Sequence, residues 1–505
     1  MTSPDAARDT TALAVVDIGS NSGRVVVYAR EPGGRFRILA GSRAALRLVR
    51  EVGDAEGLSA EAAERTLEAL RDFHAIAVGA GAARTVAVAT SALRDAANAG
   101  PLLARIRDEL GFELRIISGE EEARLGFLGG LQGLPIEHGV LFDLGGGSMQ
   151  VAHFRSRRML RSVSLPLGAL RLSDGFVRSD PPKGNELRRL QAHVRALLEG
   201  ADVAPLAHGE SLVGTGGTVR NLAKIDRNAR EYPLTRLHGY VLGRRRLGDI
   251  AALIAARSLK RRRAISGLND DRADSIVGGT LAIETLMDVL QADEVVVSGQ
   301  GVREGLLLDA LGGDLPAPRE AREGSITALA SRFAVWKPAV ADRRAALAAE
   351  LLSAVEPGAS AEVQEALRHA ARILDIGGSV DFFERHEHVA DMVLGTDLAG
   401  FSHRDLALLS SVLRHAGDED TPARRLAPLI TPQDLPALER AAVILNLADD
   451  IEERCPPGVP LAVECRLGRQ EIQVTVPQLV AWRPRKIAPR FERAFGRALV
   501  VGNRD

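Results

Sequence analysis

Residues 140–154, VLFDLGGGSMQVAHF, place an apolar run before Asp143 and a second apolar run after three glycines. This pattern predicts two antiparallel strands joined by a tight turn at Gly145, Gly146 and Gly147. Glycine lets another group approach the backbone closely, and successive backbone N–H groups form a concavity that binds anions such as phosphate. A carboxylate repels phosphate unless a cation lies between them, so Asp143 indicates phosphate together with a divalent metal. The alternative is a hairpin whose glycines serve only the turn.

Two further stretches resemble this one. Residues 14–29, AVVDIGSNSGRVVVYA, repeat the layout of strand, Asp17, small-residue turn and strand, which indicates a weak internal repeat. A third small-residue loop, LVGTGGTVRNLAKI at 212–225, follows an apolar strand and leads into a helical pattern. Three such loops can converge on one ligand in a cleft between two similar halves.

Composition indicates an ordinary globular protein. The chain has 505 residues, 46% apolar and 26% charged, which suits two to four domains. Lys and Arg (65) almost balance Asp and Glu (66), which gives no reason to expect DNA or RNA binding. Cys455 and Cys465 are too few for a disulfide framework, although a single bridge between them stays open. The first ten residues lack a basic or apolar segment, and no apolar run suits a membrane helix, so we expect a soluble cytoplasmic protein without membrane contact.

The pattern of predicted elements divides the chain into three domains. Residues 12–135 and 136–312 each alternate strands and helices, and Ser59 is a plausible N-cap for a helix in the first. The segment GGDLPAPREAREGS, from 312 onward, has the composition of a linker. Residues 320–505 form a third domain that is mainly α-helical, with a short strand pair before a final helix.

The segment between the two hairpins carries candidate catalytic residues. Thr90 and Ser91 end a strand, Arg94 follows one turn later, and SGEEEARL places three glutamates, Glu120 to Glu122, at the start of a helix. Carboxylates there commonly cap the helix or interact with its dipole. Three caps would be redundant, so one glutamate is expected to point into the cleft as a general base.

Six motifs occur in order: DIGSNSGR, ATSALRDAANA, ISGEEEARLGFLGG, DLGGGS, GTGGTVRNLA and GLNDDRADSIVGG. They resemble the exopolyphosphatase and guanosine pentaphosphate phosphohydrolase (Ppx/GppA) family of the actin-like phosphotransferase superfamily, over residues 13–311. Residues 370–416 resemble that family's HD-related C-terminal domain. The resemblance implies two actin-like, ribonuclease H-like α/β domains that form a cleft, followed by an α-helical HD-like domain, and it implies a homodimer.

The resemblance also implies roles for individual residues. Glu121, first of the Glu-Glu-Ala triplet, would activate the attacking water, while Glu122 has no assigned role and its substitution is expected to affect turnover much less. Asp143, with Asp17 in the first hairpin, would hold Mg²⁺ or Mn²⁺. Phosphate binding is assigned to the turns and to two arginines: Ser20, Asn21, Ser22, Arg24, Arg94, Gly145, Gly146, Gly147, Ser148, Gly216, Gly217 and Thr218. The implied reaction is release of orthophosphate from the ends of inorganic polyphosphate by water attack, which needs in-line positioning, charge neutralisation and a base.

Two departures from the family pattern bear on these assignments. Gln150 stands where the family usually has a carboxylate, so we expect weaker metal binding, activity only at raised Mg²⁺ or Mn²⁺, and a lower metal requirement in Gln150→Glu. The His-Asp pair of HD phosphohydrolases is represented by Leu374 and Asp375, and His386 and His388 have poor spacing for a metal. The helical domain is therefore expected to bind polyphosphate or to dimerise.

Other readings of the sequence stay open. Arg244–Arg246 and Lys260–Arg263 would line a path for a long polyanion or form solvated helix faces. The alternative functions are hydrolysis of guanosine pentaphosphate at its 5′ γ-phosphate, a weakly catalytic regulator that binds polyphosphate or a guanosine penta- or tetraphosphate alarmone, and an ATP-dependent kinase of the same superfamily.

Overall fold

The computed structural model describes residues 12–30, 36–52, 57–417, 426–456, 458–479 and 482–502. The N-terminal stretch used above to predict location lies outside these ranges. The chain forms two compact units, one of residues up to 318 and one of residues from 319 onward with Tyr232–Leu234.

The first unit contains two sheets that repeat one arrangement. In each sheet two antiparallel strands form a hairpin, and the first strand of that hairpin also pairs with a parallel strand. In one sheet β1 pairs with β2 in the hairpin and with the parallel β4; in the other β6 pairs with β7 in the hairpin and with the parallel β9. The strand orders are β3-β2-β1-β4-β5 and β10-β11-β9-β6-β7-β8. The strands are β1 Ala12–Ile18, β2 Ser22–Arg30, β3 Phe36–Ala45, β4 Ala82–Ala89, β5 Leu114–Ile116, β6 Gly139–Leu144, β7 Met149–Arg155, β8 Arg158–Leu165, β9 Ser211–Gly216, β10 Tyr240–Gly243 and β11 Glu294–Val297. Both predicted hairpins and the internal repeat are confirmed.

Helices cover the two sheets of this unit. Ser59 caps the second helix by accepting a hydrogen bond from Ala62 N at 3.1 Å, as the sequence predicts. The helices are α1 Leu48–Val52, α2 Ala60–Gly79, α3 Ser91–Arg94, α4 Ala99–Leu110, α5 Gly119–Leu131, α6 Ala169–Phe176, α7 Gly184–Gly200, α8 Gly217–Ala229, α9 Arg244–Ala255, α10 Leu259–Arg262, α11 Ile276–Leu290 and α12 Val302–Ala310, with a 3₁₀ turn at Asp270–Arg272.

Helices α5 and α12 each pack on the sheet of the other half. Phe127 of α5 belongs to the core of the second sheet, whereas Leu306 of α12 belongs to the core of the first. The two helices meet at glycines: a Cβ on Gly129 would lie 1.8 Å from Gly301 O, and one on Gly305 would lie 1.9 Å from Leu125 O. A domain boundary drawn at residue 135 by sequence order therefore separates α5 from the sheet that it covers.

The second unit is mainly helical and ends in a small sheet. Its helices are α13 Pro318–Ala330, α14 Pro338–Val355, α15 Ala361–Ile373, α16 Arg385–Gly395, α17 His403–Gly417, α18 Leu435–Glu453 and α19 Ala488–Phe495, with a 3₁₀ turn at Leu374–Ser379. The strands β12 Glu464–Leu467 and β13 Glu471–Thr475 form the predicted pair, and β14 Ala498–Gly502 adds a parallel third strand. Helix α13 begins inside the predicted linker, since proline is tolerated in a first helical turn.

An ion-pair network occupies the part of this unit where the sequence lacks the His-Asp pair. The buried Arg344 guanidinium donates to Asp375 Oδ2 at 2.6 Å and to Asp449 Oδ1 at 2.7 Å, and Arg385 also pairs with Asp449. Among the residues that the structure describes, no group of three or more His, Cys, Asp or Glu side chains is arranged to hold a metal ion. Asp375 is thus engaged by arginine.

Candidate active site

The three small-residue loops meet at a cavity of about 120 Å³ between the two sheets of the first unit. The turns β1–β2 and β6–β7 face each other across it, and the β9–α8 turn and the first residues of α5 and α12 complete its wall. Most of the predicted site residues line this cavity: Asp17, Ser20, Asn21, Ser22, Arg24, Glu122, Asp143, Gly145, Gly146, Ser148, Gly216 and Gly217. The convergence predicted from the sequence is confirmed.

Close approach to the other half explains two glycines of the β6–β7 turn, Gly146 and Gly147. Gly145, Gly146 and Gly147 all have ordinary φ values, so the turn itself does not require glycine. A Cβ on Gly147 would lie 2.6 Å from Ser91 Oγ and 3.0 Å from Ser20 Oγ, which are themselves 2.5 Å apart. The glycines let the two halves approach each other, which argues against the reading that they serve only the hairpin.

Two aspartates occupy equivalent positions in the repeat. Asp17 lies opposite Arg24 in the β1–β2 hairpin, and Asp143 lies opposite Gln150 in the β6–β7 hairpin. Burial raises the pKa of Asp143 to about 6. The positive charge of Arg220 lowers this pKa, and the negative charge of Asp17 raises it further. Burial also raises the pKa of Asp17, against the attraction of Arg303 and Arg24. Neither charge is fully compensated by its protein surroundings, so each carboxylate would be stabilised by a cation.

The glutamate that reaches the cavity is Glu122. The residue is 7% exposed, and Arg94 Nη1 donates to its Oε2 at 3.1 Å. Burial raises the pKa of Glu122 to about 7. The positive charge of Arg94 lowers this pKa, and the negative charge of Asp143 raises it. Glu121 instead pairs with Arg115 at 2.7 Å and is absent from the cavity wall. The placement therefore favours Glu122 over Glu121 as the carboxylate that meets substrate.

The helical geometry of α5 explains this difference. Ser118 caps the helix by accepting from Glu121 N at 3.1 Å, and consecutive residues then differ by about 100° around the axis. Glu122 shares a face with Gly126 and Gly129, four and seven residues later, and a Cβ on Gly126 would lie 3.4 Å from Asp143 Oδ2. Glu122 therefore lies on the face of α5 that is directed at Asp143 and at helix α12.

Four other predicted residues lie behind the cavity wall. Arg94 contacts Glu122 and donates to Ile117 O at 2.8 Å, so it is placed to act on the glutamate. Gly147 packs against the opposite turn, and Thr218 and Gln150 are buried at 1% and 3% exposure. These residues support the cavity from the second layer.

Three arginines of the cavity were missed by the sequence analysis. Arg220, Arg272 and Arg303 line it together with Arg24, and they come from three different elements of the chain. Burial lowers the pKa of Arg24 to about 9, with repulsion from Arg303 and Arg220 adding to the effect. Burial likewise lowers the pKa of Arg272 to about 10. Such a cluster favours a ligand with several negative charges.

Of these three arginines, only Arg220 has a sequence signal, and that signal is weak by itself. Arg220 lies in the first turn of α8, directly after the GTGG loop, and its Nη1 donates to Gly299 O at 2.8 Å. Gly217 is needed beside Arg272, since a Cβ there would lie 2.7 Å from its Cζ. Each position became recognisable only when the fold brought the loops together.

Three arginines of the basic runs Arg244–Arg246 and Lys260–Arg263 form ion pairs within the first unit. Arg244 pairs with Asp288 at 2.7 Å, Arg246 with Asp226 at 2.8 Å, and Arg262 with Asp180 at 3.0 Å. At these positions the guanidinium groups stabilise the fold, which favours the structural reading of the runs over a polyanion path.

Taken together, the repeated hairpins, the two aspartates and the arginine cluster define a two-lobed α/β protein with one highly charged cavity between the two sheets of its first unit. Residues 26–313 match the Ppx/GppA phosphatase family, and residues 321–457 match domain III of that family. The chain therefore belongs to the Ppx/GppA phosphatase family, and the predicted fold class of two actin-like α/β domains followed by a helical domain is confirmed.

Relatives and solved structures agree with this assignment. The chain is 32% identical over 303 residues to exopolyphosphatase 1 of Mycobacterium tuberculosis, which covers 59% of this chain and 88% of that protein. It is also 32% identical over 305 residues to exopolyphosphatase 1 of Mycobacterium leprae, covering 59% and 89%. The crystal structure of the Aquifex aeolicus family member is 27% identical, with a TM-score of 0.53, and covers 60% of this chain and 97% of that one. An exopolyphosphatase structure from Cytophaga hutchinsonii, 24% identical with a TM-score of 0.56 and covering 60% and 99%, shares the fold.

Two further properties concern cellular context. Both cysteines are free, Cys455 buried and Cys465 partly buried. No helix in the described part of the chain combines the length and apolarity that crossing a membrane would require.

Proposed function

We propose that the protein is an exopolyphosphatase, which releases orthophosphate from the ends of inorganic polyphosphate. The observation that carries the proposal is one cavity that holds Glu122, two aspartates and four arginines between two glycine-lined turns. The names of the mycobacterial relatives agree with it. Polyphosphate carries a negative charge on every phosphoryl group, and the arginine cluster supplies the matching cations.

Different residues of the cavity have different roles in the attack of water on the terminal phosphoryl group. Arg24, Arg220 and Arg272 bind and orient the non-bridging oxygens, while the turn backbone supplies further donors. Glu122 accepts a proton from the attacking water, because its pKa of about 7 leaves a substantial ionised fraction at neutral pH. Arg94 holds the Glu122 carboxylate in place from behind.

The donor set fits a divalent metal that is completed by substrate. Mg²⁺ prefers oxygen ligands and is commonly held by one or two carboxylates, several waters and substrate phosphates. Asp17 and Asp143 provide two carboxylates on the cavity wall, and a bound cation would offset the effect of burial, which raises the pKa of each. We propose that these two residues hold Mg²⁺ or Mn²⁺, whose contribution is neutralisation of charge on the phosphates.

Guanosine pentaphosphate is the second candidate substrate, since it ends in the same phosphates, and a weakly catalytic polyphosphate- or alarmone-binding regulator is the third. The test is phosphate release from long polyphosphate, guanosine pentaphosphate and ATP, each with Mg²⁺ and with EDTA. We expect metal-dependent release that is fastest from polyphosphate. Faster phosphate release from guanosine pentaphosphate than from polyphosphate would make guanosine pentaphosphate the proposed substrate. Tight binding of polyphosphate or guanosine pentaphosphate without phosphate release would favour the regulator.

We also propose a cytoplasmic homodimer whose second unit is an HD-like domain without its own metal. The free cysteines support the reducing compartment, and the Arg344 network supports a metal-free helical unit. Light scattering of the purified protein tests the dimer, and metal analysis of the isolated protein tests the absence of a second metal centre.

A further inference from the structure

Gln150 occupies the centre of a cross-strand row next to the cavity. On β7 it lies opposite Asp143 of β6 on one side and opposite Ser164 of β8 on the other. Ser148, two residues earlier at the end of the turn, lies on the same side, since its Oγ is 2.9 Å from Gln150 Nε2. Ser148 lines the cavity, whereas Gln150 is 3% exposed and lies behind it. Gln150 can therefore act on a ligand through Ser148.

The hydrogen bonds of Gln150 fix the direction of the Ser148 hydroxyl. Gln150 Nε2 donates to Ser148 Oγ at 2.9 Å and to Ser164 Oγ at 3.0 Å. An amide nitrogen has two protons, and here each proton has one serine oxygen as acceptor. Ser148 Oγ therefore accepts from Gln150 and keeps its own proton. Phosphate oxygens only accept hydrogen bonds, so a hydroxyl with a free proton on the cavity wall matches them.

A carboxylate at this position would have the opposite effect. An ionised glutamate only accepts hydrogen bonds, so the Ser148 proton would turn toward it and away from the cavity. It would also place a second carboxylate directly across the strand pair from Asp143. The repeat supports this reading, because Arg24, the residue opposite Asp17 in the first hairpin, also carries no negative charge.

We propose that Gln150 is a positioning residue that presents Ser148 as a hydrogen-bond donor to the bound phosphate. The inference rests on the proposed function, because it names a determinant of phosphate binding in the same cavity. It differs from the expectation drawn from the sequence, in which Gln150 only weakens the metal site.

Kinetics and binding of four variants test this role. We expect Gln150→Glu to raise KM for polyphosphate about ten-fold, the size of one hydrogen bond to a charged group, with a smaller change in kcat. Ser148→Ala should give a similar rise, and the double variant should be no worse than Ser148→Ala, since both changes remove one donor. Ser164→Ala is the matched control and should leave KM near that of the wild type. Thermal melting identifies any variant that fails to fold.

Binding without turnover separates this inference from the proposed function. Calorimetry with tripolyphosphate in EDTA should show weaker binding in Gln150→Glu and Ser148→Ala and unchanged binding in Ser164→Ala. If Gln150→Glu proves unstable, Gln150→Met replaces it, because methionine keeps the side-chain volume but donates no hydrogen bond. Its affinity for tripolyphosphate should lie between those of the wild type and Ser148→Ala. A lower half-maximal Mg²⁺ concentration in Gln150→Glu with unchanged KM would overturn the proposal and restore the metal-site reading. Absence of phosphate release by the wild type would refute the proposed function, while the calorimetry would still decide the role of Gln150.

Discussion

Replacing Glu122 by glutamine should lower turnover and raise stability in the same protein. The amide keeps the shape of the side chain and a polar contact with Arg94, but it accepts no proton from water. Removal of a general base costs about 10²- to 10⁴-fold in rate, so kcat should fall by that factor. Substrate binding should change little, because the four cavity arginines remain.

The stability effect follows from the raised pKa. The pKa of Glu122 is about 7 in the folded protein and 4.5 in its ordinary state, mainly because burial disfavours the charged form. The folded protein therefore holds this proton more tightly than the unfolded chain does, and stability is lost as pH rises from 4.5 to about 7. A shift of this size corresponds to roughly 3 kcal/mol. Glu122→Gln avoids the loss, so its free energy of unfolding should exceed that of the wild type at pH 8 and not at pH 4.

The assay is phosphate release from polyphosphate between pH 5 and 9, paired with urea unfolding at pH 4 and pH 8 in metal-free buffer. Wild-type kcat/KM should fall about ten-fold per unit below pH 7, as the base becomes protonated. Glu121→Gln is the control: it alters a partly exposed residue that pairs with Arg115, and both rate and stability should stay near wild type. Equal losses of rate in the two variants, or a Glu122→Gln protein that is less stable at pH 8, would refute the reasoning.

Three further outcomes are expected. Arg94→Ala should move the acid limb of the rate profile upward by about one pH unit, because the cation that lowers the pKa of Glu122 is removed; a higher KM with an unchanged profile would instead show that Arg94 binds phosphate. Gly217→Ala should raise KM for polyphosphate roughly ten-fold by displacing the Arg272 guanidinium, with an unchanged circular dichroism spectrum. Mg²⁺ should tighten tripolyphosphate binding in calorimetry, and tripolyphosphate should tighten Mg²⁺ binding by the same factor; independent binding of the two would contradict the shared site.

The sequence predicts the parts of this site that repeat or that lie within one motif. The hairpins with Asp17 and Asp143 were predictable because strand alternation and a glycine turn are local patterns. The glutamate was predictable only as one of three, since adjacent residues on a helix face different directions and the deciding Gly126 contact is with another strand. Arg272 and Arg303 were missed because nothing local distinguishes a cavity arginine from a surface arginine.

The domain boundaries show the same division between local and non-local information. Element types follow from periodicity, which the chain displays locally. Helix α5 packs on the second sheet and helix α12 on the first. This arrangement depends on contacts between residues more than 170 positions apart, such as Gly129 and Gly305. Small residues at these two positions permit the close approach of the helices, but a glycine in a helix does not by itself indicate its partner.

The electrostatics of the cavity indicate what kind of ligand completes it. Burial raises the pKa of Asp17, Glu122 and Asp143, while it lowers the pKa of Arg24 and Arg272. At these five residues both signs of charge are therefore held at a cost that pairing within the protein does not fully compensate, whereas, against the effect of burial, the neighbouring Glu304 and Asp17 raise the pKa of Arg303. An anion alone would satisfy the arginines and repel the carboxylates, and a cation alone would do the reverse. A phosphate chain that brings a divalent cation satisfies both sets at once, which is why the two ligands are expected to bind together.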